Sequence, residues 1–453
     1  MSGATPGTES GTMNGTTNAA TGGTIDVKAA VRTFLAHTEE HLVSYLEGCV
    51  HCGACAEACH FHQVSGDPRH TPAYKLFPLA KAIRAQKFPL SLIAPRLTAE
   101  DLREWEELLF DTCTLCGRCT TICPMGIDIA SIVGIARQAF VKAGLGPADL
   151  LAAADNSRDL GSPLGVTAEK LRERIEWLAD EYEVDIHLDK PQADVLLTVS
   201  SIEMMKYPTS LVAIARILNY AGTDWTLSSK GYEATNFGYL AGKTDVARLM
   251  IARIVAAAEA VGAKTVIIPE CGHAYGALRW SGANLIGRPL PFAVLHISEY
   301  LAELKRKGKL RLKPFDEPVT YHDPCQISRR GGASGEARFL LEDFAKDFRE
   351  MTPSGDVNWC CGGGGGVQAI GRAAALRHKV FKIKMDQVEK TGAKMMLSSC
   401  SNCRLTLDES RLHWKWEGGL GSLVEVIADH LIEDGAPAGR DAPAAGSTAP
   451  RAS

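Results

Sequence analysis

No uninterrupted apolar run in this chain of 453 residues reaches the roughly 18 that a bilayer-spanning helix needs; the best stretch, 249–271, is broken by Arg253, Glu259, Lys264 and Glu270. A membrane is therefore expected only through a partner. An excess of positive charge is missing too. The formal net charge is -4, with 49 Lys and Arg against 53 Asp and Glu, which argues against a polyanion-binding surface and against nucleic acid as a partner. The first 24 residues carry one charge, Glu9, and no basic residue precedes Lys28. Neither the basic nor the apolar region of a secretory leader is there, and the expected compartment is the cytoplasm. Cysteine, which such a compartment usually keeps sparse, is abundant: 14 residues, 13 of them in tight clusters. Reducing conditions disfavour structural disulfides, so clustered thiols point to metal ligation.

At roughly 100 to 200 residues per domain, the length predicts two to four domains. Residues 1–26 and 433–453, poor in periodic apolar positions and rich in Thr, Gly, Ala and Pro, are expected to be disordered tails. Helical spacing of Val31, Phe34, Leu35, Leu42, Tyr45 and Leu46 predicts one helix over 27–47, ended by Gly48 ahead of the first cysteine. With 100–110 and 127–143 also helical, 27–150 reads as an all-α domain and 151–193 as a helical linker. From Asp194 the pattern turns to α/β, with short strands expected at 195–199, 265–268, 319–322 and 394–398. The chain also matches itself at an offset of 124 to 130, which divides the rest into units 194–312 and 313–432. Ser201 falls on Cys325, Asn236-Phe237-Gly238 on Cys360-Cys361-Gly362, Cys271 on Cys400 and Ala274 on Cys403. The first unit keeps one cysteine where the second has five.

Cys49, Cys52, Cys55 and Cys59 are separated by two, two and three residues, and Cys113, Cys116, Cys119 and Cys123 repeat that spacing, with Pro124 following. This is bacterial ferredoxin spacing, in which three cysteines wrap three corners of a cubane [4Fe-4S] cluster and the fourth ligates the other cluster. His60 stands where the first motif would carry proline. Zinc sites prefer two Cys-x2-Cys pairs about a dozen or more residues apart, and cysteines three apart in a tight loop crowd a disulfide. If the ligands exchange as in ferredoxins, Cys49, Cys52, Cys55 and Cys123 hold one cube, and Cys113, Cys116, Cys119 and Cys59 the other.

Downstream, Cys325 is followed after 34 residues by Cys360-Cys361, and after 38 more by Cys400-x2-Cys403. Each lies near an expected strand end, where α/β folds place chemistry. Adjacent thiols leave a common backbone in different directions, which suits an irregular cluster better than a cube. The five glycines 362–366 would let backbone N–H groups approach sulfur closely; no Gly-Lys-Ser/Thr ending makes them a phosphate loop.

The pattern Cys-x34-Cys-Cys-Gly-x37-Cys-x2-Cys resembles the cysteine-rich CCG domain of heterodisulfide reductases, and with the two ferredoxin motifs upstream the chain is similar over about 27–430 to their fused D-type architecture. Glu270-Cys271-Gly272-His273 and the stretch from Cys59-His60-Phe61 to Gly66-Asp67-Pro68 resemble the K-type component of the sulfite-reductase-linked membrane complex and sulfur-oxidising heterodisulfide reductase-like proteins. The resemblance implies an all-α ferredoxin-like domain followed by two α/β CCG repeats, the first degenerate. It implies three cofactors, two cubane [4Fe-4S] clusters and one noncubane [4Fe-4S] cluster on Cys325, Cys360, Cys361, Cys400 and Cys403. At that centre a disulfide, trisulfide or persulfide-type bond would be cleaved or formed. The implied partners are a thiol or sulfur-carrier protein and redox subunits bearing flavin, iron–sulfur clusters or b-type haem. The alternative is an electron-transfer component of a glycolate or lactate oxidase-like complex, and a third class is a non-enzymatic assembly component.

Cleaving a disulfide takes two electrons and leaves thiolates that need protons. His322 and Asp323, just before Cys325, and His273, two after Cys271, are the candidate donors near the site. Cys271 is open to three roles: extra ligand, thiol facing a substrate channel, or buried structural thiol. Lys75, Arg118, Arg329, Arg330 and Arg404 lie near motif cysteines, where they could balance the negative charge of thiolate-ligated clusters or meet an acidic carrier protein; individually each reads as solvated surface charge. An amphipathic helix is expected over 167–182, with Leu171, Ile175, Trp177 and Leu178 as its apolar residues, packed on its own protein rather than docking a partner.

Overall fold

The structure, a computed structural model, describes residues 24–37, 40–86, 89–342 and 344–432. The tails assigned from composition fall outside it except for 24–26, of which Asp26 is the N-cap of the first helix, accepting the Ala29 N–H at 2.9 Å. Among the described residues up to 150 there are helices and no strand. The single helix expected over 27–47 is two, Val27–Ala36 and Glu40–Glu47, because His37 leaves helical geometry at the end of the first. Ala99–Phe110 starts on a capping box, the Thr98 hydroxyl accepting from the Asp101 N–H while the Asp101 carboxylate accepts from the Thr98 N–H. Asp128 caps Ile129–Lys142 in the same role. Leu102, Leu109, Phe110, Ile132, Val133 and Phe140 close over Phe34 to form this region's core.

The expected boundary at 150/151 falls inside the helix Ala148–Leu160. Leu150 and Ala154 of that helix belong to the same core as Phe140, and Val367 and Ile370 from the far end of the chain reach it too. The helix Ala168–Glu181 follows, capped by Thr167, with Leu171, Ile175 and Leu178 buried against the α/β part of the molecule, whereas Trp177 is exposed and carries Arg174 over its ring at 4.5 Å.

Two small, wholly parallel sheets make up the remainder. In the first, β1 (Val195–Leu197), β2 (Trp225–Thr226), β3 (Thr265–Ile268) and β4 (Ala293–His296) lie in the order β2-β1-β3-β4; in the second, β5 (Val319–Tyr321), β6 (Met395–Ser398) and β7 (Gly419–Ser422) lie in the order β5-β6-β7. Val195 is level with Thr265 and Thr265 with Ala293, as Val319 is with Met395 and Met395 with Gly419. Where β1 pairs with β2, β5 has only an isolated bridge from Val319 to Phe348. The long helices Thr244–Val261 and Ala374–Thr391 supply the crossovers into β3 and β6, each ended by a left-handed glycine, Gly262 and Gly392. No helix of the described residues is long and apolar enough to cross a membrane.

The two sheets meet across a buried polar network. The Glu270 carboxylate receives the Arg404 guanidinium at 2.6 Å and the Ser422 hydroxyl at 2.7 Å, and Arg404 also donates to the Ser210 hydroxyl at 2.6 Å. The Glu270 N–H in turn donates to Glu203 at 2.9 Å. Removing one member of a buried pair costs more than the pair is worth, since it strands the other charge. Arg404→Met is expected to lower stability by ~3–5 kcal/mol, read as a fall in the thermal midpoint of anaerobically purified protein. Adding Glu270→Gln to it is expected to recover a substantial part of that loss.

Candidate metal centre

Each ferredoxin-type loop turns on the same backbone device. The residue two after its first cysteine is left-handed, His51 (φ 53°) and Leu115 (φ 56°), and so is the glycine after its second, Gly53 (φ 81°) and Gly117 (φ 73°). Those glycines open the short helices Ala54–Ala58 and Arg118–Ile122, and the extended residues Cys59 and Cys123 then carry the fourth thiol of each loop across to the other. Cys49, Cys52, Cys55 and Cys123 line one cavity, with Val50 and Met125 at its side. Cys59, Cys113, Cys116 and Cys119 line a second, together with His60, Lys75 and Thr112. Cys52 is exposed in the first cavity. Burial pushes the Cys59 and Cys119 thiols of the second upward, and the Lys75 ammonium works against that shift at Cys59.

The five downstream cysteines come together as one buried group packed with Cys116. Cys325 follows β5 and Cys400 follows β6, at the carboxyl ends of adjacent parallel strands, and Cys400 opens the helix Ser401–Trp414 that carries Cys403. Cys360-Cys361 arrives on a loop that Asn358 fastens by donating to the Asp323 carbonyl at 2.5 Å. The sulfurs of Cys325 and Cys360 are 3.9 Å apart. Those of Cys361 and Cys403 lie within 4.8 Å of each other and of a His322 ring nitrogen, and those of Cys360 and Cys116 within 4.8 Å of each other and of a His60 nitrogen. The second ferredoxin-type loop and the five-cysteine group therefore touch.

The glycine run serves this junction mostly by allowing close approach. The Gly362 N–H lies 3.4 Å from the Cys360 sulfur, as the sequence suggests. A Cβ on Gly363 would collide with the Thr406 hydroxyl, and one on Gly365 (φ 62°) would fall 2.7 Å from the Thr114 backbone. Gly365 also donates to His273 Nε2 at 2.9 Å, and the ring faces the Thr114 carbonyl as well. Burial, helped by Arg137, pushes that imidazole down to about 4. His273 is thus a neutral strut between the glycine loop and the helical region. His322 is different: it is fully buried, burial and Lys384 hold it well below its ordinary range, and neither ring nitrogen has a hydrogen-bond partner. The Asp323 carboxylate turns away to the guanidinium of Arg338, at 2.8 and 2.9 Å, and to the Gly355 N–H.

The cations near the cysteines are not solvated surface charge, contrary to the reading from sequence. Lys75 is 2% exposed and donates to the Thr112 carbonyl. Arg118 stacks 3.6 Å over Trp359 and donates to the Ala58 carbonyl at 3.0 Å. Arg329 donates to the Cys116 carbonyl at 3.0 Å, Arg330 pairs with Asp128 at 3.2 Å, and Arg404 is the buried partner of Glu270. Two residues near the sulfurs were given no role by the sequence. Lys384, buried mid-helix, donates to Asn358 and Gln387 at 2.9 and 2.7 Å, and burial pushes it down to about 8. His60 was visible only as a missing proline.

Grouped thiols, interior cations and orphaned imidazole nitrogens are the donor chemistry that iron–sulfur clusters take, since thiolate-bound iron carries negative charge that buried N–H groups and cations offset. The matching region of the first unit has no such set. Ser201 donates to the Glu233 carboxylate and lies 2.5 Å from the Ser162 hydroxyl; Asn236 caps the helix Phe237–Ala241; Phe237 and Ala274 are core. Cys271 is 4% exposed with the Thr235 hydroxyl 3.8 Å away, and burial pushes its thiol up.

Residues 45–127 match the family of 4Fe-4S dicluster domains and residues 319–408 that of cysteine-rich domains. The chain is 28% identical over 397 residues to the D-type component of the dihydromethanophenazine:CoB--CoM heterodisulfide reductase of Methanosarcina barkeri, covering 85% of this chain and 94% of that protein. It is 26% identical over 454 residues to the Hdr-like menaquinol oxidoreductase iron-sulfur subunit of Archaeoglobus profundus, covering 86% and 80%. With the EtfAB:quinone oxidoreductase of Syntrophomonas wolfei it shares 26% over 405 residues, 79% of this chain and 54% of that one.

Burial pushes the Glu233 carboxyl up to about 7 from an ordinary 4.5. The folded state then holds a proton that the unfolded state releases, so this group's contribution to stability falls as pH rises from about 4.5 through 7. Glu233→Gln mimics the protonated form. Its melting temperature relative to the parent is expected to become more positive between roughly pH 5 and pH 8, measured by differential scanning calorimetry.

Proposed function

We propose that this chain, which is similar to the D-type component of heterodisulfide reductase and to the Hdr-like menaquinol oxidoreductase iron-sulfur subunits, is an iron–sulfur subunit that cleaves or forms a disulfide, trisulfide or persulfide-type bond at the five-cysteine group. The observation that carries this reading is the meeting of Cys325, Cys360, Cys361, Cys400 and Cys403 in one buried group beside Cys116. The proposed ligand sets are Cys49, Cys52, Cys55 and Cys123 for an outer cubane, Cys113, Cys116, Cys119 and Cys59 for an inner cubane, and the five downstream cysteines for a noncubane [4Fe-4S] cluster. Bound there, the noncubane cluster supplies the one-electron chemistry that lets a two-electron bond change proceed in single steps.

The protein's own part is positioning, exclusion of water and charge balance. Reducing an S–S bond consumes two electrons and two protons and yields two thiols. His322 places a neutral imidazole, free of other partners, beside Cys361 and Cys403, where its N–H stabilises a departing thiolate. Lys384 sets a cation behind Asn358 on the same side. Cys271, one helix start away in the first unit, acts as a buried structural thiol rather than a ligand. The redox partner meets the outer cavity, where Cys52 is exposed, and any membrane attachment comes through that partner.

One observation favours a second reading, an electron-transfer protein without thiol chemistry: all five downstream cysteines are buried, Cys403 being the most exposed at 5%. Iron analysis and electron paramagnetic resonance (EPR) separate the two. Reconstituted protein is expected to hold roughly twelve irons and Cys361→Ser about eight, with the cubane signals retained in the variant. Titrating anaerobic protein with a thiol is expected to raise a paramagnetic signal in the parent that the variant lacks. No such signal, together with no disulfide reductase activity from an artificial donor, would leave only the relay.

A further inference from the structure

His60 sits in the seam between the second cysteine cavity and the five-cysteine group. It opens the helix His60–Ser65 directly after Cys59, lines the second cavity, and is 2% exposed. Its ring packs on Phe61 with centroids 4.4 Å apart. One of its nitrogens lies within 4.8 Å of both the Cys116 and the Cys360 sulfurs, which belong to different groups. Neither ring nitrogen has a hydrogen-bond partner.

An imidazole buried with its N–H unsatisfied costs free energy, and a ring meant only to fill space is better made from phenylalanine or leucine. Neutral histidine offers one N–H donor, and at this place the Cys116 and Cys360 sulfurs lie within 4.8 Å of a ring nitrogen. We infer that His60 is a positioning residue that donates a hydrogen bond to sulfur at the contact between the inner cubane and the five-cysteine centre, and so sets the reduction potential of the inner cubane. An N–H donated to cluster sulfur stabilises the electron added on reduction and raises that potential. The inference rests on the ligand sets proposed above. It assigns the junction a donor belonging to neither set, at the position where a proline would have supplied none.

The test is an EPR-monitored redox titration of the full chain with His60→Leu, which removes both nitrogens, and His60→Asn, which keeps an N–H on a shorter side chain. With iron content equal to the parent's, His60→Leu is expected to move one cubane midpoint to a more negative potential and leave the other in place; His60→Asn is expected to shift it less. If His60→Leu does not load with iron, His60→Phe keeps a ring against Phe61 without an N–H and carries the same expectation. Midpoints unchanged in the loaded variants overturn the inference. Loss of one cluster's iron in every variant, Asn included, also overturns it, because His60 would then be a ligand. A parent holding only about eight irons would defeat the five-cysteine reading instead, while the inner cubane's midpoint in the same titration still decides the role of His60.

Discussion

One guanidinium without a carboxylate partner holds the three parts of this molecule in register. Arg137 is 1% exposed and spends its N–H groups on backbone carbonyls: Leu109 at 3.1 Å and Cys113 at 2.7 Å in the helical region, Leu240 at 2.8 Å in the first α/β unit, and Gly365 at 2.5 Å in the second. Burial pushes it down, to about 10, yet it remains charged at neutral pH. An arginine can do this because its planar fork presents five donors in fixed directions. Gln326 adds a second tie, donating to the Leu115 carbonyl at 2.7 Å from the turn just after Cys325. Between them the two side chains set the distance from Cys116 to Cys360, and the two thiol groups become neighbours.

Electrostatics explains why so many cations lie inside. Thiolates gathered in an apolar interior repel one another, and a low dielectric magnifies that repulsion. Lys75, Arg118, Arg137, Arg329 and Lys384 surround the inner thiols, and most of them bond to neutral carbonyls rather than to acids. None of the five is in a salt bridge among the described residues, and their charge remains available to the sulfur groups. Arg404, whose charge Glu270 takes up, ties the sheets together instead.

Much of this architecture was legible because it follows spacing. The cysteine gaps, the β-branched run that became β3, and the capping residues Thr98 and Asp128 are local signals, and they sit where local rules put them. The exchange of Cys59 and Cys123 between loops was carried by the ferredoxin motif as a whole. What escaped were facts about which surfaces meet. The adjacency of Cys116 and Cys360, 244 positions apart, depends on Arg137 and the glycine run. Lys384 looks like any helical lysine until the loop carrying Asn358 covers it. The break at His37 and the helix running through 150/151 show the same limit, since periodicity reports which face is apolar and not where the chain bends or what it packs upon.

Access to the thiols is graded with depth. Cys52 is exposed, Cys59, Cys113, Cys116 and Cys119 of the second cavity are half-buried, and Cys360-Cys361 is buried at 2% exposure. An oxidant diffusing in from solvent meets these layers in that sequence. Damage by air thus begins at the outermost sulfurs and reaches the tandem pair last, so a preparation that has aged can lose its outer thiols while Cys360-Cys361 is still intact.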